Sequence, residues 1–142
     1  MGELAIHDLR PDEIDKAYIL ARLGYRDLGI SDWRDMAEAA LGHAETAGSV
    51  LFAQDQDKRA RGLLIYKIAP TVAGKPSLRV ERLVAFDLMD PQLVADAMLA
   101  EVMRLARLMD CGSFSLVSPM DAATDPAALV LASPVSVLHR VF

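Results

Sequence analysis

The chain has 142 residues, a length that fits one domain with one core over residues 1–142. Apolar residues make up 53% of it, which argues against disorder. The charged 25% is mixed in sign with a net charge of −5, so bulk electrostatics will not hold a polyanion and nucleic acid is not an expected partner.

Met1 to Asp8 carry neither a basic cluster nor a long apolar run, so no signal peptide is read there. No apolar stretch approaches the roughly 20 residues that span a bilayer, so the expectation is a cytoplasmic chain with no membrane partner. Leu4-Ala5-Ile6 is a short strand candidate. Arg10-Pro11-Asp12-Glu13 opens a helix, because proline suits a first turn and acidic residues suit the positive end of the helix dipole. Ile14, Ala17, Tyr18 and Ala21 carry that helix to about Leu23. Ser31 is the expected N-cap of a second helix, with Trp33, Met36, Ala37, Ala40 and Leu41 on its buried stripe. The period then changes. Ser49–Ala53 and Leu63–Ile68 read as an antiparallel hairpin around the polar turn Asp55–Gly62. Pro70–Pro76 reads as a loop and Leu78–Phe86 as a strand, alternating at first and wholly apolar at its end.

Asp90-Pro91 opens the strongest helix, with Asp90 as N-cap and Pro91 as first residue. Ala95, Met98, Leu99, Val102, Leu105, Ala106 and Met109 share one face, and Gly112 is the expected C-cap. Ser113–Val117 is a strand, placed parallel to Leu78–Phe86 by a right-handed crossover. Ala127–Ala132 reads as a short helix and Val135–Phe142 as a last strand. The class is therefore α/β (α+β): a mixed sheet of about six strands, mostly antiparallel with one parallel crossover, and helices on both faces.

Few residues carry an obvious chemistry. His7, His43 and His139 lack metal-ligand spacing and Cys111 has no second cysteine, so no metal is expected. Cys111 follows a helix end and reads as a buried, inert thiol suited to a reducing compartment. Lys58-Arg59-Ala60-Arg61 sits beside Asp55 and Asp57 and reads as a solvated turn. Trp33 with Met36 reads first as core packing.

The element order resembles the GNAT superfamily of N-acetyltransferases over essentially the whole chain. Ile6 to Asp15 is similar to the family's first strand and helix entry, and Leu83-Val84-Ala85-Phe86-Asp87 with the helix through Ala97-Met98-Leu99 is similar to its coenzyme-binding unit. The resemblance implies acetyl-CoA or another acyl-CoA as co-substrate and a small amine as acceptor. It implies coenzyme contacts from Leu83, Val84, Ala85 and Phe86, beside the pantetheine arm, and from Gln92, Leu93, Val94 and Ala95 at the pyrophosphate loop. In the family pattern Asp90 falls at a Gln/Arg position, Leu93 at the first glycine and Ala95 at the second, so only Ala95 conforms. Leu93 puts a side chain where bare backbone should meet phosphate, and Asp87 and Asp90 add negative charge. Val130 falls where members carry a tyrosine as general acid, on the expected last helix.

Glu81 is the candidate general base, with a solvated carboxylate paired to Arg79 or to a cross-strand cation as the structural alternative. Tyr25, Trp33 and Arg34 are the implied lining of the acceptor cleft. Two functions stand: acyl transfer to a small amine, or a binding or regulatory module that keeps the fold and has lost the coenzyme. A splay between Leu83–Phe86 and Phe114–Val117, open or filled by Leu93, is the feature that separates them. An apolar final strand ending at Phe142 leaves an edge to cover, and a homodimer is the expected way to cover it.

Overall fold

In the computed structural model, which describes residues 3–42, 48–71, 74–116, 118–119, 128–132 and 138–141, the chain opens with strand β1 (Ala5–Asp8). A 3-10 turn (Pro11–Glu13) then leads into helix α1 (Ile14–Gly24). The proline entry works as read, but a buried acid completes it. Glu13 is 5% exposed; its Oε1 accepts from the Arg10 backbone N–H at 3.0 Å and pairs with His7 Nε2 at 2.9 Å. That contact ties β1 to the start of α1.

Helix α2 (Ile30–Gly42) starts one residue before Ser31. Gly29 takes the capping place, because the Trp33 N–H donates to its carbonyl at 3.0 Å. The Trp33 indole N–H donates to the Ile14 carbonyl at 2.7 Å and docks α2 on α1. Strands β2 (Gly48–Gln54), β3 (Ala60–Thr71) and β4 (Gly74–Phe86) form an antiparallel meander. Of the expected Pro70–Pro76 loop, the described residues Pro70 and Thr71 belong to β3 and Gly74, Lys75 and Pro76 to β4. β3 and β4 run on to a Thr71–Gly74 pair, because each supplies the other's backbone hydrogen bonds well past the sequence's turn residues.

Helix α3 (Pro91–Leu108) begins as read, with Asp90 Oδ1 accepting from the Gln92 N–H at 3.0 Å. Its end differs. The left-handed residue is Asp110 (φ 57°) and not Gly112, since aspartate tolerates that region and Cys111 N–H closes back on Ala106 O at 2.8 Å. Gly112 instead donates to Pro76 O at 2.9 Å, pinning the crossover to β4. Strand β5 (Ser113–Leu116), the two-residue β6 (Ser118–Pro119), β7 (Ala128–Ala132) and β8 (Leu138–Val141) complete the sheet. Among the described residues the sheet is mixed and mostly antiparallel with one parallel crossover, as expected, and its strands include the two-residue β6. Ala128–Ala132 is a strand and not the short helix its composition suggested. Periodicity does not decide a five-residue apolar run, and an open strand edge on β4 does. His43 and Phe142 lie outside the described residues.

The sheet order is β1-β2-β3-β4-β5-β8, with β7 on β4 and β6 on β7. Among the described strands every pairing is antiparallel except β4–β5. One face packs on α1 and α2 through Leu9, Leu20, Trp33, Phe52, Leu63 and Val84; the other packs on α3 through Leu64, Leu78, Leu83, Val94, Met98 and Val102. Burying each such side chain contributes about 1.5–3 kcal/mol. β4 switches phase between the two faces. Leu78 and Val80 face α3, and so do Leu83 and Ala85, an odd step that requires an inserted residue. The register gives it: Tyr66 lies opposite Val80 and Ile65 opposite Arg82, which leaves Glu81 as the bulge.

Candidate functional site

The bulge places the chemistry. Glu81 opens onto a cleft of about 320 Å³ between α2 and the sheet, lined also by Tyr25, Trp33, Met36, Ser49, Tyr66 and Lys67. Tyr25 follows the end of α1, which seats closely on β4. A side chain at Gly24 would meet Val84 Cγ2 at 2.8 Å, so glycine is what allows the approach. The Arg82 guanidinium covers one face of the Tyr25 ring at 4.2 Å. Trp33 is wholly buried and forms wall and core at once. Arg34 does not join them. It forms a two-pronged pair with Asp15 at 2.8 and 2.9 Å on the exposed side of α2, and that hydrogen bond and charge lower the Asp15 pKa.

Glu81 pairs with Lys67 Nζ at 3.6 Å, a cross-strand partner. Ser49 is 2% exposed and its hydroxyl has no hydrogen-bond partner among the described residues. Burial, with Asp8 and Cys111 nearby, pushes Tyr66 up to about 12, so its phenol stays neutral at physiological pH. Ser49, Tyr66 and Lys67 carry no local signature in the sequence. Only the β2–β3 and β3–β4 registers bring them to Glu81.

The implied coenzyme residues lie on the other arm of the bulge. β4 pairs with β5 over Ser77–Arg79 and then parts from it. From Arg82 to Phe86 its outer edge pairs instead with β7, Leu83 opposite Leu131 and Val84 opposite Val130. β7 pairs on its far side with β6, Ser118 opposite Ala132. The splay therefore exists, and a strand of the same chain fills it. Leu93 does not: it is 46% exposed, while Val94 and Ala95 are buried on the face of α3 that packs on the sheet. Val130 sits in the strand in the splay, where a helix position was expected.

The loop before α3 is internally saturated. Asp87 Oδ2 accepts from Met89 N–H at 3.1 Å and Asp90 N–H at 2.7 Å, and Asp90 takes Gln92 N–H. The Gln92 amide donates to Asp96 at 2.8 Å. These amides are the groups an anion would need, and the chain's own carboxylates hold them. Leu88 and Met89 are 77% and 88% exposed beside them. Elsewhere the expected turn at Asp55 holds, with its carboxylate accepting from Asp57 and Arg59 N–H, both at 2.9 Å, and from Arg61. Cys111 is buried, and burial beside Asp110 raises its pKa away from reactivity.

No family model and no curated protein matches the sequence. Solved structures do match the fold. An aminoglycoside N-acetyltransferase, AAC(6')-Iy in complex with CoA, superposes with a TM-score of 0.67 at 16% identity, covering 78% of this chain and 74% of its own. A GNAT family acetyltransferase from Brucella melitensis in complex with acetyl-CoA gives 0.61 at 13% identity, covering 94% and 91%. The fold is that of the GNAT N-acetyltransferases. The C-terminal condensation domain of Ebony, in complex with beta-alanyl-dopamine, gives a TM-score of 0.62 at 13% identity, covering 85% and 78%. Likeness of fold at these identities does not fix the chemistry, and function has to be argued from the cleft and the β4 edge.

Proposed function

We propose that this chain binds a small, largely apolar amine in the cleft at Glu81, on the scaffold of an N-acyltransferase. The observation that supports this reading is one carboxylate set by a β-bulge among aromatic and aliphatic walls. An ammonium group would take the place of Lys67 on Glu81, and the body of the ligand would lie against Trp33, Tyr25 and Met36. A polycation fits poorly, because the cleft holds one carboxylate and already one ammonium. The coenzyme side does not suit an acyl-CoA in this conformation, since carboxylates hold the loop amides and β7 holds the β4 edge.

Transfer of an acyl group from acetyl-CoA or another acyl-CoA to the bound amine is the second reading. It is favoured by the place of Glu81, on the strand whose next residues form the edge in question, where its carboxylate can take the ammonium proton. Trp33 is the chain's single tryptophan, so its emission reports on the cleft directly. Phenethylamine should give a saturable change, weakened by Glu81→Gln, and spermidine should give little. No response at millimolar monoamine refutes the binding reading. Thiol release from acetyl-CoA no faster with the amine than without it counts against transfer.

A further inference from the structure

We infer that β7 and the extended arm of an acyl-CoA compete for one edge of β4, residues Arg82–Phe86, so that β7 is a displaceable plug controlling access to the coenzyme side. This deepens the second reading above and rests on it for the identity of the competing ligand.

The edge is a backbone site. Leu83, Val84 and Ala85 are satisfied on one side by β3, opposite Leu64, Leu63 and Gly62. Their outward groups need a partner that runs extended, because buried backbone N–H and C=O groups are rarely left unpaired. β7 supplies one over five residue pairs, from Arg82–Ala132 to Phe86–Ala128. The pantetheine arm carries two amide groups along an extended chain, so it presents strand-like donors and acceptors to the same edge. Both occupants cannot pair with it together.

Three features mark β7 as an insertion and not an ordinary member of the sheet. It enters where β5, after pairing with β4 through Arg79–Ser115, has already left β4. The β4 bulge at Glu81 lies between the two pairings, so the bend that opens the fork also frees the edge. The sheet is continuous without it, since β4–β5 and β5–β8 pair directly. Phe86, at the end of the edge, also lines a groove of about 450 Å³ rimmed by Lys16, Arg59 and Arg61. An arm in place of β7 would therefore lead towards cations at that end. The apparent affinity of such a ligand falls by the fraction of molecules with β7 displaced.

Two variants test this with acetyl-CoA as the probe and melting temperature and calorimetry as readouts. Val130→Pro removes a strand N–H at the centre of β7 and should tighten acetyl-CoA binding by about tenfold or more, if β7 is out in about a tenth of molecules or fewer. Val84→Cys with Val130→Cys, in a Cys111→Ala background, cross-links opposite residues of β4 and β7. The reduced form should bind acetyl-CoA and the oxidised form of the same variant should not. Equal binding in both redox forms overturns the inference, as does no binding by the reduced form at millimolar acetyl-CoA. If Val130→Pro fails to fold, the redox pair decides alone. Amine titration at Trp33 on the same samples separates the two ideas. Amine binding without coenzyme exchange sinks this inference only, and coenzyme exchange without amine binding sinks the cleft reading only.

Discussion

Glu81→Gln probes the cleft with little structural damage. The carboxylate is 30% exposed and Lys67, its partner at 3.6 Å, is 64% exposed. Such a pair contributes about 0–1 kcal/mol, so its loss should barely move the melting temperature. A ligand ammonium about 4 Å from the carboxylate gains about 4 kcal/mol of Coulomb attraction at an effective dielectric of about 20. Displacing Lys67 and desolvating both charges offset much of that, leaving about 1.5–3 kcal/mol, the range of hydrogen bonds to charged groups. Amine affinity should therefore fall by about 10- to 100-fold in Glu81→Gln. Lys67→Met removes the competing ammonium and should act in the opposite direction, tightening binding. Trp33 emission, titrated with phenethylamine, measures both. A Kd within about twofold of the parent in Glu81→Gln, with an unchanged melt, would refute the assignment of the carboxylate to the ligand.

Other substitutions test the scaffold. Asp90→Ala removes the acceptor of the Gln92 N–H and should destabilise the protein by about 0.5–2 kcal/mol in urea unfolding; no loss would mean that Asp90 does not cap α3. Gly62→Ala places a methyl that overlaps the Met98 sulfur and lies 3.1 Å from Val94 Cγ1, so it should cost about 1–3 kcal/mol. A neutral result there would mean that α3 does not seat so closely on β3. Tyr66 has its folded pKa raised from 10.0 to about 12, chiefly by burial. The folded state favours the neutral phenol, so that contribution is full below about pH 10 and lost as pH rises towards 12. Melting temperature against pH should fall more steeply in this window for the parent than for Tyr66→Phe, and parallel curves would refute it.

Local chemistry made much of the scaffold legible. Asp90-Pro91 starts α3 where capping and proline preference put it, and the hairpin strands carry the alternation that their register later uses. The charge of Asp87 and Asp90 and the bulk of Leu93 were readable from residue type alone, and the structure shows both carboxylates accepting backbone N–H groups of this loop. Glu81, Tyr25 and Trp33 were legible as candidates, and the fold gathers those three around one cleft while Arg34 turns outward to Asp15.

Tertiary structure decided the rest, because it depended on partners distant in the chain. Nothing near Glu81 announces a bulge; the mismatch of β3 against β4 creates it. Ser49, Tyr66 and Lys67 reach Glu81 only through strand register. Ala128–Ala132 has no period that separates helix from strand, and the open edge of β4 settles it by offering backbone hydrogen bonds. The sequence by itself determined that the segment before α3 carries the carboxylates of Asp87 and Asp90 and the side chain of Leu93. Only the assembled sheet determined that the chain's own strand lies along the edge beside them, since an edge exists only once its neighbours have paired.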